Sequence, residues 1–396
     1  MRWGQGWKKC SVVCGIVDKL VSKPDIEIKI VNNRRLLRQF INLPKSIQGN
    51  DPLWIPPLRL LERLDYMFGK NAVLSRSEHI LLLAFFQGKP AGRIIAYIDP
   101  RYNEYYNSLT GFFGAFECVN DSSVSKALYE AAELWFKKQG MTAVRGPIDP
   151  VAECWGFLLD GDTPPVYMSP HNPLYYNNFA ENSGYEKAKD LSVYEADCGN
   201  GYNMPERLTD FADKILSSRQ NFTVRRIDPA NLSAEAEHIL RILNTAVSGN
   251  WGFVPVGLDE MKDLVSKLKL IIDEDAIWFV EDDGVPIGCA LGYPDINVLI
   301  KKIDGKLFPF GFISFLRGLK KLRDYRLWGL AIMPEYQGLG LDVLLYVSLS
   351  LALQPKNVRL EANYVLEDNL KIINALVKLN LDVIKRYRVY EKNLSD

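Results

Sequence analysis

The chain has 396 residues, of which 47% are hydrophobic and 24% are charged. This composition is typical of a folded globular protein and excludes a disordered chain, a collagen-like chain or a membrane bundle. The 48 Lys and Arg residues balance 48 Asp and Glu residues. Nucleic acid is therefore disfavoured as the main partner, because proteins that bind phosphate backbones usually carry a basic surplus. The length favours about two domains.

Residues 1–24 are predicted to form an N-terminal tail. Their apolar run is short and no signal-peptide cleavage pattern follows it. The longest later apolar run, 343–353, is about half of what a bilayer requires. The six cysteines are too sparse for a disulfide scaffold. We therefore expect a cytoplasmic protein without a membrane span, and the oligomeric state cannot be read from these patterns.

The sequence repeats itself once, which indicates an internal duplication. Four matched features recur in the same order, 196 or 197 residues apart: Trp54 and Trp251, Gly88 and Gly284, Asn172 and Asn369, and Val193 and Val389. We predict two related domains, 25–198 and 223–396, joined by a linker, 199–222, that contains a helix.

Each half is predicted to begin with a strand, at 26–31 and at 222–227, followed by a helix. A β-hairpin comes next, at 80–98 and at 276–293, turned by glycine. Another strand and a long helix follow, and then a strand, a helix and two final strands. This order predicts an α/β fold with layers of helices on a mixed sheet.

The segment 328–345 is the most informative part of the chain, because a strand runs into a glycine-containing turn and then into an apolar helix. Gly338 and Gly340 would let the backbone approach a phosphate closely, and the helix N-terminus would present unpaired N–H groups. An ordinary turn that needs two glycines is the alternative interpretation.

Residues 332–342 resemble the acyl-CoA site of the GNAT acyltransferase superfamily, whose motif is Gln/Arg-x-x-Gly-x-Gly/Ala after a strand ending in Val-x-Pro. Residues 369–381 are similar to the Asn-opened helix of that family. The resemblance implies two tandem GNAT-like domains, with acetyl-CoA or another acyl-CoA bound in the C-terminal one. The implied cofactor-binding residues are Leu330, Ile332, Gln337, Gly338, Leu339, Gly340, Leu341, Asp342 and Asn369.

The resemblance further implies an acyltransferase, of the N-acetyltransferase type, that acts on the amine of a small molecule or peptide. Glu361 is a candidate general base, and the alternative is an ordinary strand carboxylate. Tyr364 is a candidate general acid, because the tyrosine of the family falls on Leu376. Asp342 stands where the family has Gly or Ala. The first half lacks the glycine motif and is predicted to bind no CoA.

Two alternatives stay open. One is a catalytically inactive GNAT-fold protein that binds a ligand, which Asp342 and Leu376 would explain. The other is an aminoacyl-tRNA-dependent transferase, suggested by the tandem organisation and by seven Lys/Arg residues in 297–323. That segment is predicted to be a basic amphipathic helix for an acidic acceptor, lipid headgroups or tRNA, or else a solvated helix face.

The acceptor is expected to lie against aromatic and acidic residues. The insert 149–173 is acidic and aromatic and would receive a cationic amine through Glu153, Trp155 and His171; a loop that covers the sheet is the alternative. Trp251 follows the first helix of its half, a segment that often lines the acceptor site in GNAT folds, although a Trp beside prolines is often a core residue. The histidines have no Cys/His spacing, so no metal site is expected.

Overall fold

The computed structural model describes residues 25–67, 71–152 and 154–395. In chain order its strands are β1 (Ile26–Ile30), β2 (Glu78–Phe86), β3 (Lys89–Ile98), β4 (Thr110–Cys118), β5 (Ala143–Gly146), β6 (Ile148–Asp149), β7 (Cys154–Trp155), β8 (Phe157–Asp160), β9 (Glu186–Asp197), β10 (Phe222–Arg226), β11 (Ile277–Asp282), β12 (Val285–Pro294), β13 (Asp324–Ile332), β14 (Arg359–Leu366) and β15 (Asp382–Asn393).

The helices lie between these strands in the order expected of an α/β protein. They are α1 (Arg34–Gln48), α2 (Arg59–Asp65), α3 (Ala72–Arg76), α4 (Pro100–Tyr106), α5 (Ser122–Lys138), α6 (Tyr175–Asn182), α7 (Glu206–Ser218), α8 (Leu232–Ala246), α9 (Leu258–Leu268), α10 (Asn297–Lys302), α11 (Gly311–Leu319), α12 (Leu341–Leu353) and α13 (Leu370–Lys378). Within the described ranges, no helix combines the length and the apolar character needed to cross a membrane.

The chain forms two compact units that are not contiguous in sequence. The first unit comprises the described residues up to Asp190, together with Ile300–Phe312 and the chain from Lys385 onward. The second unit comprises Leu191–Leu299 and Ile313–Ile384. The repeat boundaries 25–198 and 223–396 concern the duplicated sequence, whereas these two units are defined by packing.

The strand orders of the two units correspond. The first unit has the order β1-β2-β3-β4-β5-β15 and the second has β10-β11-β12-β13-β14-β9. In each order the fourth and fifth strands, β4–β5 and β13–β14, are parallel, and the other strand pairs whose register is resolved are antiparallel. The predicted mixed sheet is therefore confirmed. The sixth strand of each unit comes from the other repeat, since Val193 lies in β9 and Val389 in β15.

Both predicted hairpins are confirmed, and each turns through two residues with positive φ. Gln87 and Gly88 have φ of 49° and 76°, and Asp283 and Gly284 have φ of 46° and 79°. Two positive φ values define the type I′ turn, whose twist matches that of the flanking strands. The Gly-x-Pro-x-Gly pattern therefore marks the same type of hairpin turn in both halves.

Three further expectations have clear outcomes. A helix is present within 199–222 as α7, and it lies inside the second unit. The prediction of two final strands in each half is wrong, because each half ends in one strand, β9 or β15, of 12 residues. The prediction of a single helix over 297–323 is also wrong: α10 and α11 are separate, because Gly305 has a φ of 68° and Pro309 follows in the connection.

A buried group of charged residues lies in the first unit, on the chain that packs around β3 and β4. Glu62 and Arg93 are 9% and 6% exposed, and a Glu62 carboxylate oxygen lies 3.5 Å from Arg93 Nη1. Glu117 accepts hydrogen bonds from Gln48 Nε2 at 2.7 Å and from the Tyr176 hydroxyl at 2.8 Å. Burial raises the pKa of Glu62 to about 7, and the nearby Arg93 offsets only part of that effect.

This raised pKa predicts a pH-dependent stability. A carboxyl group whose pKa is higher in the folded state stabilises the protein fully below its unfolded pKa of about 4.5, and the contribution is lost as pH rises through about 7. Relative to the wild type, Glu62→Gln should therefore gain several degrees in Tm between pH 5 and pH 8. Thermal unfolding of both proteins across this range checks the prediction. The matched control is Glu27→Gln, at an exposed carboxylate of β1. A Tm difference between wild type and Glu62→Gln that stays constant with pH would contradict it.

Candidate functional site

The parallel strands β13 and β14 part midway along their length. Their ladder joins Asp324–Leu327 to Arg359–Ala362 and ends there. Beyond that point β13 continues only against β12, with Ile332 opposite Gly288, and β14 continues only against β9. Residues 328–332 therefore have one strand edge outside the β13–β14 ladder. An extended ligand could add to this edge by backbone hydrogen bonds, as a peptide strand does.

The glycine-containing turn follows this edge directly. After β13 the chain makes one 3₁₀ turn, Pro334–Tyr336, and enters α12 through Gly338 and Gly340, whose φ values are 79° and 78°. Among the described residues no side chain caps the N-terminus of α12. The Val343 N–H donates to the Gly340 carbonyl oxygen at 3.0 Å, and the positive end of the helix dipole favours an anion next to the residues before it.

The two glycines have different structural roles. A Cβ added at Gly338 would have no atom within 4 Å, so the space above this residue is open. A Cβ added at Gly340 would lie 2.6 Å from the Phe211 ring and 3.1 Å from Ile215. Gly340 thus permits the close packing of α7 against the start of α12, while Gly338 leaves room for a ligand.

The polar side chains around the turn have definite partners. Gln337 donates from Nε2 to the Ile332 carbonyl oxygen at 3.0 Å and accepts at Oε1 from Lys371 Nζ at 3.1 Å. Arg241 lies 3.7 Å from the Met333 sulfur and donates to the Pro286 carbonyl oxygen. Lys371 and Arg241 therefore bring positive charge next to the turn. Sequence reasoning did not find either of them, although Lys371 lies only two residues after Asn369.

Asp342 lies in the first turn of α12 and is partly exposed. Its side chain does not cap the helix, so the amides of the turn remain accessible. Asn369 is the N-cap of α13 and accepts at Oδ1 from the Ile372 N–H at 3.3 Å. This bond occupies the side-chain oxygen and leaves the side-chain NH₂ group as a donor.

Glu361 is fully buried in β14. Its Oε1 atom accepts a hydrogen bond from Arg359 Nη2 at 2.7 Å. Arg359 also lies 2.5 Å from Glu195 and 3.2 Å from Asp324. Burial would lower the pKa of Arg359, but the three carboxylates outweigh burial and raise it further above its ordinary range. The candidate base is thus the buried member of a partly exposed ionic cluster along the paired part of β13 and β14.

Tyr364 lies in β14 just beyond the end of the ladder. The guanidinium carbon of Arg326 lies 5.2 Å from the centroid of the Tyr364 ring. Arg326 is 1% exposed and donates from Nε to Asn363 Oδ1. The parting of the strands therefore places a tyrosine, an asparagine and a buried cation together. Leu376, at the family's tyrosine position, is a core residue at 1% exposure.

The predicted acceptor residues that the structure describes are divided between the two units. Trp251, in the second unit, is partly buried. In the first unit, Trp155 belongs to the short β6–β7 ribbon, opposite Ile148. His171 Nε2 lies 2.8 Å from Asp51 Oδ2. Burial would raise the pKa of Asp51, but hydrogen bonds from His171 and the Leu53 N–H outweigh it and lower that pKa. Glu153 lies outside the described residues.

The corresponding place in the first unit is filled by side chains. Asp121 caps α5 by accepting from the N–H groups of Ser123 at 2.8 Å and Val124 at 3.3 Å. At the end of β4, Cys118 donates its N–H to the Tyr176 hydroxyl, and its carbonyl oxygen accepts from Tyr175, each at 2.9 Å. The N-terminus of α5 and the end of β4 therefore have side-chain partners; that the first half binds no CoA stays a prediction.

The repeated strand order and the strand–glycine–helix turn define a tandem GNAT fold, and comparison with known structures agrees. A tandem GNAT protein from the clavulanic acid biosynthesis pathway aligns with a TM-score of 0.56 at 11% identity, covering 94% of this chain and 99% of that one. A GCN5-related N-acetyltransferase from Sphaerobacter thermophilus aligns with a TM-score of 0.53 at 11% identity, covering 94% and 97%. At this identity the likeness concerns the fold alone.

Two sequence relatives are much closer to the chain, although no family model matches it. Protein YghO of Escherichia coli K12 is 33% identical over 374 residues, covering 91% of this chain and 94% of the relative. Bacterial ceramide synthase of Caulobacter vibrioides is 33% identical over 383 residues, covering 93% and 98%. The chain belongs to the same family as these two proteins.

The different roles of the two glycines predict different costs of substitution. Gly338→Ala should lower the free energy of unfolding by about 1–2 kcal/mol, the cost of a left-handed residue with a side chain. Gly340→Ala should lower it by about 2–4 kcal/mol, because overpacking against α7 adds to that cost. Urea denaturation of the two variants measures both values. Equal losses would show that α7 does not restrict Gly340.

Proposed function

We propose that the protein is an acyl-CoA-dependent N-acyltransferase whose donor site lies in the second unit. The observation that carries the proposal is the uncapped N-terminus of α12, reached through an open Gly338, at the point where β13 and β14 part. The family relationship to a ceramide synthase supports the same reaction class.

The residues at the turn fit a pyrophosphate group. The Gln337 N–H already donates to the Pro334 carbonyl oxygen at 3.2 Å. The backbone amides of 338–342 would donate to the phosphate oxygens, and Lys371 and Arg241 would supply positive charge. Asp342 opposes binding: at ~4–5 Å and an effective dielectric constant of about 20, a like charge costs about 3–4 kcal/mol. One cation at a comparable distance offsets that cost, and two cations are present near the turn.

The strand edge beyond Leu327 fits the extended arm of the donor. Residues 330–332 would pair with the amide groups of the arm, and the Asn369 side-chain NH₂ group would donate to one of its carbonyl oxygens. Acyl-CoA supplies an activated acyl group when bound. The site would hold the acyl carbon near Tyr364 and Arg326. The acceptor amine would form a bond to that carbon as the carbon–sulfur bond breaks. The Tyr364 hydroxyl would give its proton to the leaving sulfur, and the proton lost from the nitrogen would restore the hydroxyl.

For the acceptor we propose a long-chain amino alcohol, and for the donor a fatty acyl-CoA. A ceramide is the amide of a fatty acid with such an amine, so its synthesis from an acyl donor is an N-acylation. Two relationships bear on the choice of substrate: the 33% identity to a ceramide synthase covers 98% of that relative, whereas the N-acetyltransferase structures share only the fold. The alternative acceptor is a small, water-soluble amine, and a substrate screen distinguishes it from a long-chain amino alcohol.

The test is a mass-spectrometric assay with acetyl-, octanoyl- and palmitoyl-CoA, each offered to sphinganine, spermidine and glucosamine. We expect an amide only from sphinganine, with more product from palmitoyl-CoA than from acetyl-CoA. Acetylation of spermidine or glucosamine would contradict the proposed substrates. Binding of acyl-CoA without any product would favour a silent ligand-binding protein, and the absence of binding would favour a donor other than CoA.

The charge balance at the turn gives a quantitative prediction. Asp342→Asn should tighten CoA binding about tenfold or more, because it removes a like charge from the pyrophosphate site, and Lys371→Ala should weaken binding by a similar factor. Isothermal titration calorimetry with CoA measures both changes. Lys378→Ala removes an exposed lysine from the last turn of the same helix and should leave the affinity unchanged. An unchanged affinity in all three variants would place the phosphates elsewhere.

A further inference from the structure

The first unit contains a groove lined by four arginines. Arg34 and Arg38 are one turn apart on α1, and Arg59 and Arg63 are one turn apart on α2. The groove has a volume of about 300 Å³, and the buried side chains of Leu37 and Ile41 form its apolar floor. Two helix faces thus hold guanidinium groups on both sides of an apolar surface.

The charge of this groove is strongly positive. None of its described lining residues is acidic. Asp304 lies 2.8 Å from Arg59 and 2.9 Å from Lys45 and is also paired with Lys306 at 3.4 Å. One carboxylate is therefore shared among three cations, and the groove attracts anions.

Exposed apolar side chains adjoin the groove. On α2, Leu60, Leu61 and Leu64 are 48%, 44% and 38% exposed. The chain next to α2, joined to it by a hydrogen bond from the Arg59 N–H to the Gly305 carbonyl oxygen at 3.2 Å, carries three exposed phenylalanines: Phe308 at 67%, Phe310 at 79% and Phe312 at 39%. Exposed apolar side chains in such a group mark an interaction surface.

We propose that the four arginines, the three leucines and the three phenylalanines form a surface, here called the docking face, that binds a bilayer containing anionic phospholipids. The guanidinium groups would pair with lipid phosphates, whose oxygens match the planar donors of arginine. The phenylalanines and leucines would enter the boundary between headgroups and acyl chains, as in interfacial helices.

The combination of groups favours a bilayer over a soluble anion. Phosphate in solution would use the arginines but would leave the phenylalanines in water. A nucleic acid would use the charge, yet it offers little to three leucines beside three phenylalanines. Only an anionic surface with an apolar layer beneath it satisfies both sets of side chains. The docking face lies wholly in the first unit and does not depend on the function proposed for the second.

The experiment is flotation of the full-length protein with large unilamellar vesicles of phosphatidylcholine alone or with 30 mol% phosphatidylglycerol. We expect binding to the anionic vesicles, weakened by 0.5 M NaCl because salt screens the charges. Arg38→Gln/Arg63→Gln should weaken binding roughly twentyfold to thirtyfold, since each basic residue near such a surface contributes a factor of about five. Phe308→Ser/Phe310→Ser should weaken it at unchanged charge.

The matched control is Lys89→Gln/Lys126→Gln, which removes the same charge from two exposed lysines of the first unit. This control should bind vesicles like the wild type, and circular dichroism should show all variants folded. Equal weakening of vesicle binding in the control would show that net charge alone explains the binding, and it would overturn the proposal. Absence of vesicle binding by the wild type would overturn the proposal. It would also be overturned if Arg38→Gln/Arg63→Gln weakened RNA binding and left vesicle binding unchanged.

Discussion

The candidate site depends on the end of one parallel ladder. As long as Leu327 and Ala362 are paired, β13 and β14 run side by side; beyond them the strands separate and each continues with a different neighbour. The paired part is held by hydrogen bonds and by the ionic cluster of Arg359, whose guanidinium group lies within 3.2 Å of three carboxylates. The strands separate just beyond this cluster. The free edge of β13, the glycine-containing turn and Tyr364 all follow directly after the point of separation.

The charged residues near the glycine-containing turn are positioned by the same strand and by the helices that follow it. In the proposed donor site, the charge of Asp342 repels a phosphate group, and the nearby cations offset that repulsion. Lys371 reaches the turn because Gln337 bridges it to the end of β13, with one hydrogen bond to Ile332 and one from the lysine. Gln337 therefore links the end of β13 to Lys371 of α13, and this link keeps the positive charge of the lysine close to the turn.

Features that are local in sequence could be predicted, and features made by distant residues could not. The hairpins at Gly88 and Gly284 and the Gly338–Gly340 turn each depend on backbone conformations that a few residues determine. The exchange of β9 and β15 between units could not be read, because the sequence shows that the two segments are equivalent but not which sheet each joins. The links of Arg359 to Glu195 and Asp324 and the arginine groove were likewise missed, since both require contacts between segments that are distant in sequence.

The two repeats show how the position of one aspartate decides whether a helix terminus is open. In the first unit Asp121 precedes α5, and its carboxylate accepts from the N–H groups of Ser123 and Val124. In the second unit Asp342 lies inside the first turn of α12, after Gly340, and does not reach back to the amides. A carboxylate one residue before a helix closes the anion site by occupying it, whereas one inside the helix only opposes an anion through its charge. Neighbouring cations cannot free amides that a carboxylate already occupies. They can offset the repulsion between a carboxylate and an anion, and in the proposed site Lys371 and Arg241 do so. The duplication therefore leaves the N-terminus of α5 with a side-chain cap and, among the described residues, the N-terminus of α12 without one.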